Sequence, residues 1–282
     1  MVNFELLVQF LQVYAFQPAT AFWRAVEVNV LQQYLPTSGV VLDLGCGDGK
    51  LTLILFGNLP KNDLTLIGID GDADETDQAA HSSFYSRIHT CLASNIPEDS
   101  ESFDAVISNS VLEHIDDIEK TVAEVSRLLK KGGKFIFTVP APDFHACLYG
   151  ALNRRASRQN YLRDMDKRLA HYRYWSLLQW QEILAKYGLH VAAHTEYLTF
   201  YEVRRWELIS RLTAGILYLL SGRRKTPIQV QKNLGMRQLQ NRFMLPRWLA
   251  WLLARFLSMG VSSGSEQKYG CLLVEAHKEN QP

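Results

Sequence analysis

Cysteine is scarce in this chain: four in 282 residues, at positions 46, 91, 147 and 271. None forms a CxxC pair or stands beside a histidine at ligand spacing. That pattern argues against a disulfide framework, indicates no metal site, and suits reduced thiols in the cytoplasm. No Lys or Arg precedes Arg24, so the apolar N-terminus, which carries Glu5, lacks the basic start of a signal peptide. Residues 4–16 read instead as an amphipathic helix. An excess of one charge sign is missing too: 30 basic against 29 acidic residues leave a formal +1, which gives no reason to expect a nucleic-acid partner. Internal repeats and low-complexity tracts are absent.

What is present is a 47% hydrophobic composition, enough for a packed core, and an alternation of strand-like and helix-like segments between about 40 and 200. Val40 to Leu44, Leu64 to Ile69 and Phe103 to Ile107 are short apolar runs of strand character. A helix capped by Asp116 or Asp117 places Ile118, Val122, Val125 and Leu129 on one stripe; Gly132-Gly133 stops it, and Lys134 to Val139 reads as the next strand. A further helix runs from Ser176 to Tyr187, ending at Gly188, ahead of an alternating segment from His190 to Leu198. Tyr269 to Ala276 is again strand-like. The pattern predicts a parallel sheet wrapped by helices.

The stretch with most chemistry in it is Val41-Leu42-Asp43-Leu44-Gly45-Cys46-Gly47-Asp48-Gly49, a buried strand entering a glycine turn and then a helix. Glycines there allow positive φ and let a ligand approach the backbone. A dinucleotide fingerprint starting at Gly45 needs glycine at 50, where Lys50 stands, so a nicotinamide-dependent oxidoreductase is disfavoured. Asp43 would also repel a pyrophosphate, whereas it suits a cationic ligand with an amino group, such as S-adenosylmethionine.

These residues resemble the class I S-adenosylmethionine-dependent methyltransferases, particularly the broad type 11 group. Asp43 to Gly49 is similar to their first motif and Leu66-Ile67-Gly68-Ile69-Asp70 to their second. Ile96-Pro97, Phe103-Asp104-Ala105-Val106 and Val111-Leu112-Glu113-His114-Ile115 resemble the later ones, with Lys131-Gly132-Gly133-Lys134 closing a series that spans about 36 to 142. The resemblance implies an α/β Rossmann-like fold with a seven-stranded, mostly parallel sheet whose last strand is antiparallel. It implies S-adenosyl-L-methionine as cofactor, with Gly45 and Gly47 against its methionine portion and Asp43 on its amino group. Asp70 would take the ribose hydroxyls beside Gly71, backbone near Ala93 and Ser94 would hold adenine, and Asn109 would line the other side. The family often carries an acid where this chain has Leu92. His114 is a candidate proton acceptor by residue type, while the family uses that stretch mainly for packing. No catalytic residue is assigned, and in-line methyl transfer rests largely on proximity and alignment. The alternative is a non-catalytic binding protein on the same fold.

The expected organisation is a helical cap at 1–35, a core at 36–200 plus 265–282, and a helical insertion at 201–264. The insertion holds eleven Lys and Arg against Glu202 and Glu207, a local balance of 11 − 2 = +9, leaving 1 − 9 = −8 for the rest. Its two apolar helix candidates, Trp206 to Leu220 and Pro246 to Met259, are shorter than the roughly 18 residues that cross a bilayer. Basic residues beside Trp- and Leu-rich helices suit an anionic membrane surface, contacted peripherally from the cytoplasmic face, and equally a lid packed over the core. The expected acceptor is a small molecule, hydrophobic or lipid-like.

Overall fold

The computed structural model describes residues 2–57, 63–151, 157–215, 244–259 and 268–279. Seven strands form one sheet: β1 (Gly39–Leu44), β2 (Leu64–Asp70), β3 (Arg87–Thr90), β4 (Phe103–Asn109), β5 (Leu129–Pro140), β6 (Leu189–Thr199) and β7 (Tyr269–Lys278), in the order β3-β2-β1-β4-β5-β7-β6. β1 pairs in parallel with β2 and β4, and β7 runs antiparallel to β5, with Phe137 opposite Val274. Both faces of the central strands are buried, which explains their near-continuous apolar character. The expected sheet, with its antiparallel last strand, is the one observed.

The helices in chain order are α1 (Phe4–Val13), α2 (Pro18–Leu31), α3 (Lys50–Gly57), α4 (Ala73–Ala80), α5 (Ile118–Leu128), α6 (Phe144–Cys147), α7 (Arg158–Leu169), α8 (Leu177–Ala185), α9 (Phe200–Ser210) and α10 (Arg247–Ser258). Asp117 caps α5 by accepting from the Lys120 amide, and Ile118, Val122, Val125 and Leu128 fill its buried stripe. Leu129, assigned to that stripe by its spacing, instead takes extended geometry and opens β5 opposite Phe103. Gly132 and Gly133 therefore lie inside a strand, where the register with β4 shifts between Phe103 and Ala105. Ser176 caps α8 in a reciprocal capping box with Gln179.

The chain folds as two compact units. One contains residues 30–141, 173–196 and 271–282; the other contains 1–29, 142–172 and 197–270. In the first, Leu42, Leu44, Val106, Phe135, Phe137 and Trp180 belong to one buried core over the sheet. In the second, Trp23 packs edge-on to Phe144 and Trp206, which are tilted against each other, in an aromatic cluster with centroids 5.2 to 5.8 Å apart. α9 starts at Phe200, not near Trp206, because Thr199 and Glu202 form a capping box where β6 ends. It continues into one π-turn, Arg211–Gly215; the remainder of the expected Trp206 to Leu220 helix, and Lys225, Lys232 and Arg223, Arg224, Arg237 and Arg242, lie outside the described residues. α10 packs Ala250, Ala254 and Leu257 inward, with Phe4 of α1 edge-on to Trp251 at 5.9 Å and Arg247 paired to Glu5 at 2.8 Å. No described helix is long and apolar enough to cross a membrane.

Candidate cofactor site

Strand order reverses on either side of β1, so a crevice opens outside the carboxyl ends of β1 and β4, where open α/β sheets bind ligands. The turn after β1 fills this position. The Gly45 and Cys46 amides both donate to the Ile69 carbonyl at 2.9 Å, tying the turn to the end of β2. Gly45 has φ +81°, and a Cβ on it would lie 2.4 Å from a Val111 methyl in the loop after β4, so only glycine allows these two loops to pack. Gly47, at φ +54°, has no atom within 4 Å of where its Cβ would stand. Its backbone face is open to a ligand.

Two carboxylates support this turn. Asp43 is 2% exposed, and its Oδ2 accepts the Thr52 hydroxyl at 2.6 Å and the Tyr85 hydroxyl at 2.5 Å. Asp70, at the end of β2, accepts the Gly47 amide on Oδ2 at 3.0 Å and the Asp72 amide on Oδ1 at 2.9 Å. Burial pushes the Asp43 carboxyl up to about 6; the two hydroxyl donors oppose that rise, and the negative charge of Asp70 adds to it. Cys46, in the turn itself, has its thiol pushed up by burial and by the neighbouring carboxylates, so it stays protonated. Among the described residues no cation pairs with Asp43 or Asp70, while nearby Asp48 is held by Lys50 at 2.9 Å. Two adjacent acids without a counter-ion, beneath a glycine backbone with open space, fit a cationic nucleoside.

The remaining sequence-derived positions are distributed around this crevice within the same unit. Gly71 and Asp72 follow β2, and the Cys91 amide donates to the Asp70 carbonyl at 3.0 Å, bringing the segment with Ala93 and Ser94 beside Asp70. Ala93 and Ser94 are half-buried there, whereas Leu92 is 70% exposed. Asn109 is buried at the end of β4, and the next residue, Ser110, is held at φ +51° by amide donation to the carbonyl and hydroxyl of Thr138. A non-glycine residue in that conformation costs of order 1 kcal/mol or more and recurs at ligand sites. His114 ends a single 3₁₀ turn, Leu112–His114, with its side chain 39% exposed and its Nε2 3.9 Å from Glu113. Sequence reasoning missed Tyr85 and Thr52. Thr52 lies on the first turns of α3, facing back to β1, and could have been found by its spacing from Asp43; Tyr85 follows no motif.

This sheet order, with a glycine turn and an acid at the ends of adjacent parallel strands, defines a class I, Rossmann-like nucleoside-binding domain. A family model described as a methyltransferase domain matches residues 21–194, and the chain belongs to that family, whose cofactor is S-adenosyl-L-methionine. Among curated relatives, the malonyl-[acyl-carrier protein] O-methyltransferase of Paenibacillus is 24% identical over 54% of this chain and 55% of its own length. The mitochondrial ubiquinone biosynthesis O-methyltransferase of Rattus norvegicus is 33% identical over 36% of this chain and 31% of its own. The chain thus spans less than two thirds of either relative. Among solved structures, geranyl diphosphate C-methyltransferase from Streptomyces coelicolor, in complex with geranyl diphosphate and S-adenosyl-L-homocysteine, shares the fold at a TM-score of 0.56 and 14% identity. That match covers 93% of this chain and 84% of the other.

Proposed function

We propose that the chain transfers a methyl group from S-adenosylmethionine to a small-molecule acceptor of hydrophobic or lipid-like character. The observation that carries this reading is the pair of carboxylates, Asp43 and Asp70, that support an open glycine turn with no protein cation against them among the described residues. When bound, the cofactor supplies an electrophilic methyl on a positively charged sulfur. In this reading Asp43, Gly45 and Gly47 hold its methionine end. Asp70, whose oxygens each keep a lone pair beyond their backbone bonds, accepts the ribose hydroxyls beside Gly71. Backbone at Ala93 and Ser94 holds adenine, and Asn109 lines the far side. His114, at the end of the turn after β4, would be the side chain able to take a proton from the acceptor. The acceptor class draws support from the ubiquinone biosynthesis and geranyl diphosphate enzymes named above.

Isothermal titration with S-adenosylmethionine, followed by a product assay over quinols, fatty acyl and prenyl acceptors, tests the reading. Micromolar binding and formation of S-adenosylhomocysteine with one acceptor class are expected. Absence of binding overturns it, and binding without product over the whole panel favours the non-catalytic alternative.

A second observation favours peripheral contact with an anionic membrane. Trp248, Trp251, Leu252 and Phe256 follow one face of α10 and are each between 48% and 67% exposed, opposite the buried Ala250 and Ala254. The two acids of the insertion, Glu202 and Glu207, are buried, and Glu207 is paired with Arg211, so Glu207 offsets none of the insertion's other basic residues. An apolar aromatic face beside exposed arginines is the signature of an interfacial helix. Flotation with phosphatidylglycerol vesicles at low salt is expected to carry the protein, and W248S/F256S to release it. No flotation, or flotation unaffected by the substitutions, removes the membrane contact.

A further inference from the structure

Tyr85 stands in the loop before β3, 42 residues beyond Asp43 in sequence, and is largely buried. Two contacts define its position. Its hydroxyl donates to Asp43 Oδ2 at 2.5 Å, sharing that oxygen with the Thr52 hydroxyl. Its ring lies under the glycine turn: a Cβ on Gly49 would stand 3.0 Å from one ring carbon, and a Cβ on Gly68 of β2 3.1 Å from another. Both glycines are thus matched to this one side chain. Oδ1 of Asp43 takes no hydrogen bond among the described residues.

We propose that Tyr85 is a positioning residue for cofactor capture, fixing Asp43 through Oδ2 so that its other oxygen is presented, ionised, to the cationic end of the bound nucleoside. This rests on the reading of the site as a cradle for S-adenosylmethionine. The groups facing Asp43 are few. α3 contributes Thr52, β2 contributes Asp70, the turn contributes the protonated Cys46, and the loop before β3 contributes Tyr85 itself. The Tyr85 hydroxyl is raised well above its ordinary range by burial and by Asp43, so it remains a donor throughout the neutral range. A hydroxyl donating to a carboxylate favours the charged form. Tyr85 and Thr52 therefore limit the rise that burial imposes on Asp43, and without them more protein would carry a neutral Asp43 unsuited to a cation.

The test is the pH dependence of S-adenosylmethionine affinity, by titration calorimetry between pH 5 and 8.5, on the wild-type chain, Tyr85→Phe and Thr52→Val. Titration of the ligand's own groups is common to the three proteins and cancels in the comparison. For Tyr85→Phe the low-pH arm of the profile is expected to move up by about one pH unit, giving roughly fivefold weaker binding near pH 6, approaching tenfold near pH 5, and near wild-type affinity above pH 8. Thr52→Val is expected to act in the same direction and provides the test if Tyr85→Phe fails to fold. Superimposable profiles, or a loss equal at every pH as a collapsed turn would give, overturn the inference. Failure of the wild-type chain to bind overturns the underlying reading itself and is distinguished by that control.

Discussion

Asp43 and Glu207 are both buried carboxylates, one in each compact unit, yet their surroundings differ in kind. Glu207 on α9 accepts the Tyr149 amide at 2.6 Å, the Arg211 guanidinium at 2.5 Å and the Tyr161 hydroxyl. Arg211 also donates to the Gly150 carbonyl. The charge of Glu207 is neutralised and nearly all its acceptor capacity is used, so it ties the segment after α6 and helix α7 to α9. Asp43 has two neutral hydroxyls on one oxygen and no cation among the described residues. A buried charge that is fully paired serves the fold, whereas one left with neutral donors is stored electrostatic potential, suited to a cation arriving from outside.

The largest effect expected from this contrast is on the Glu207 side. Glu207→Ala takes the carboxylate from Arg211 and the acceptor from the Tyr149 amide, and is expected to cost about 3–5 kcal/mol of stability, read as a lower urea midpoint. S-adenosylmethionine affinity of the remaining folded protein should be unchanged. Equal losses of stability and affinity would break the comparison, since both acids would then serve the fold.

Asp43→Asn is expected to do the reverse. The folded carboxyl sits near 6 against an ordinary 3.8, so its contribution to stability is fully present below about pH 4 and is lost as pH rises through 6. A rise of that size corresponds to about 3 kcal/mol at neutral pH, which an uncharged Asn does not lose. The variant should match wild type at pH 4 and exceed it at pH 7.5 in urea unfolding, while cofactor affinity falls about 10- to 100-fold. A pH-independent difference in stability removes the electrostatic account. Asp70→Asn sharpens the same contrast at a half-buried acid. Its amide can keep one backbone bond but not both, and about tenfold weaker binding is expected with little change in unfolding.

The site's strand, turn and first helix are legible in the sequence because their signals are local: an apolar run, glycines at positive φ, and an acid at each strand end. The seven-stranded sheet and its antiparallel last strand followed from family resemblance, and the structure agrees. The start of β5 is misleading in sequence because Leu129 continues the helical spacing of Val125 and Gly132-Gly133 resembles a helix stop; pairing of Leu129 with Phe103, 26 residues away, prevails over both. The start of α9 is readable from Thr199 and Glu202, three apart as a capping box requires, but the apolar run from Trp206 is the louder signal. Tyr85 could not be found in this way. Its partners Asp43, Gly49 and Gly68 are brought together only by the parallel pairing of β1 with β2 and the return of the chain into β3.

A finer contrast separates the roles of two glycines in one turn. Gly45→Ala places a methyl 2.4 and 2.7 Å from the two methyls of Val111, in a backbone conformation that already disfavours a side chain, so a loss of about 2–3 kcal/mol is expected, with cofactor affinity falling as the turn shifts. Gly47→Ala bears only the left-handed conformational cost of about 1 kcal/mol, because no atom stands within 4 Å of the new methyl. If that space belongs to the cofactor, affinity must fall well beyond the small change in stability, by tenfold or more in calorimetry. A Gly47→Ala protein that unfolds like wild type and binds S-adenosylmethionine equally well would show that the open face of the turn is not where the nucleoside lies, and the role of Asp43 as its counter-ion would fail with it.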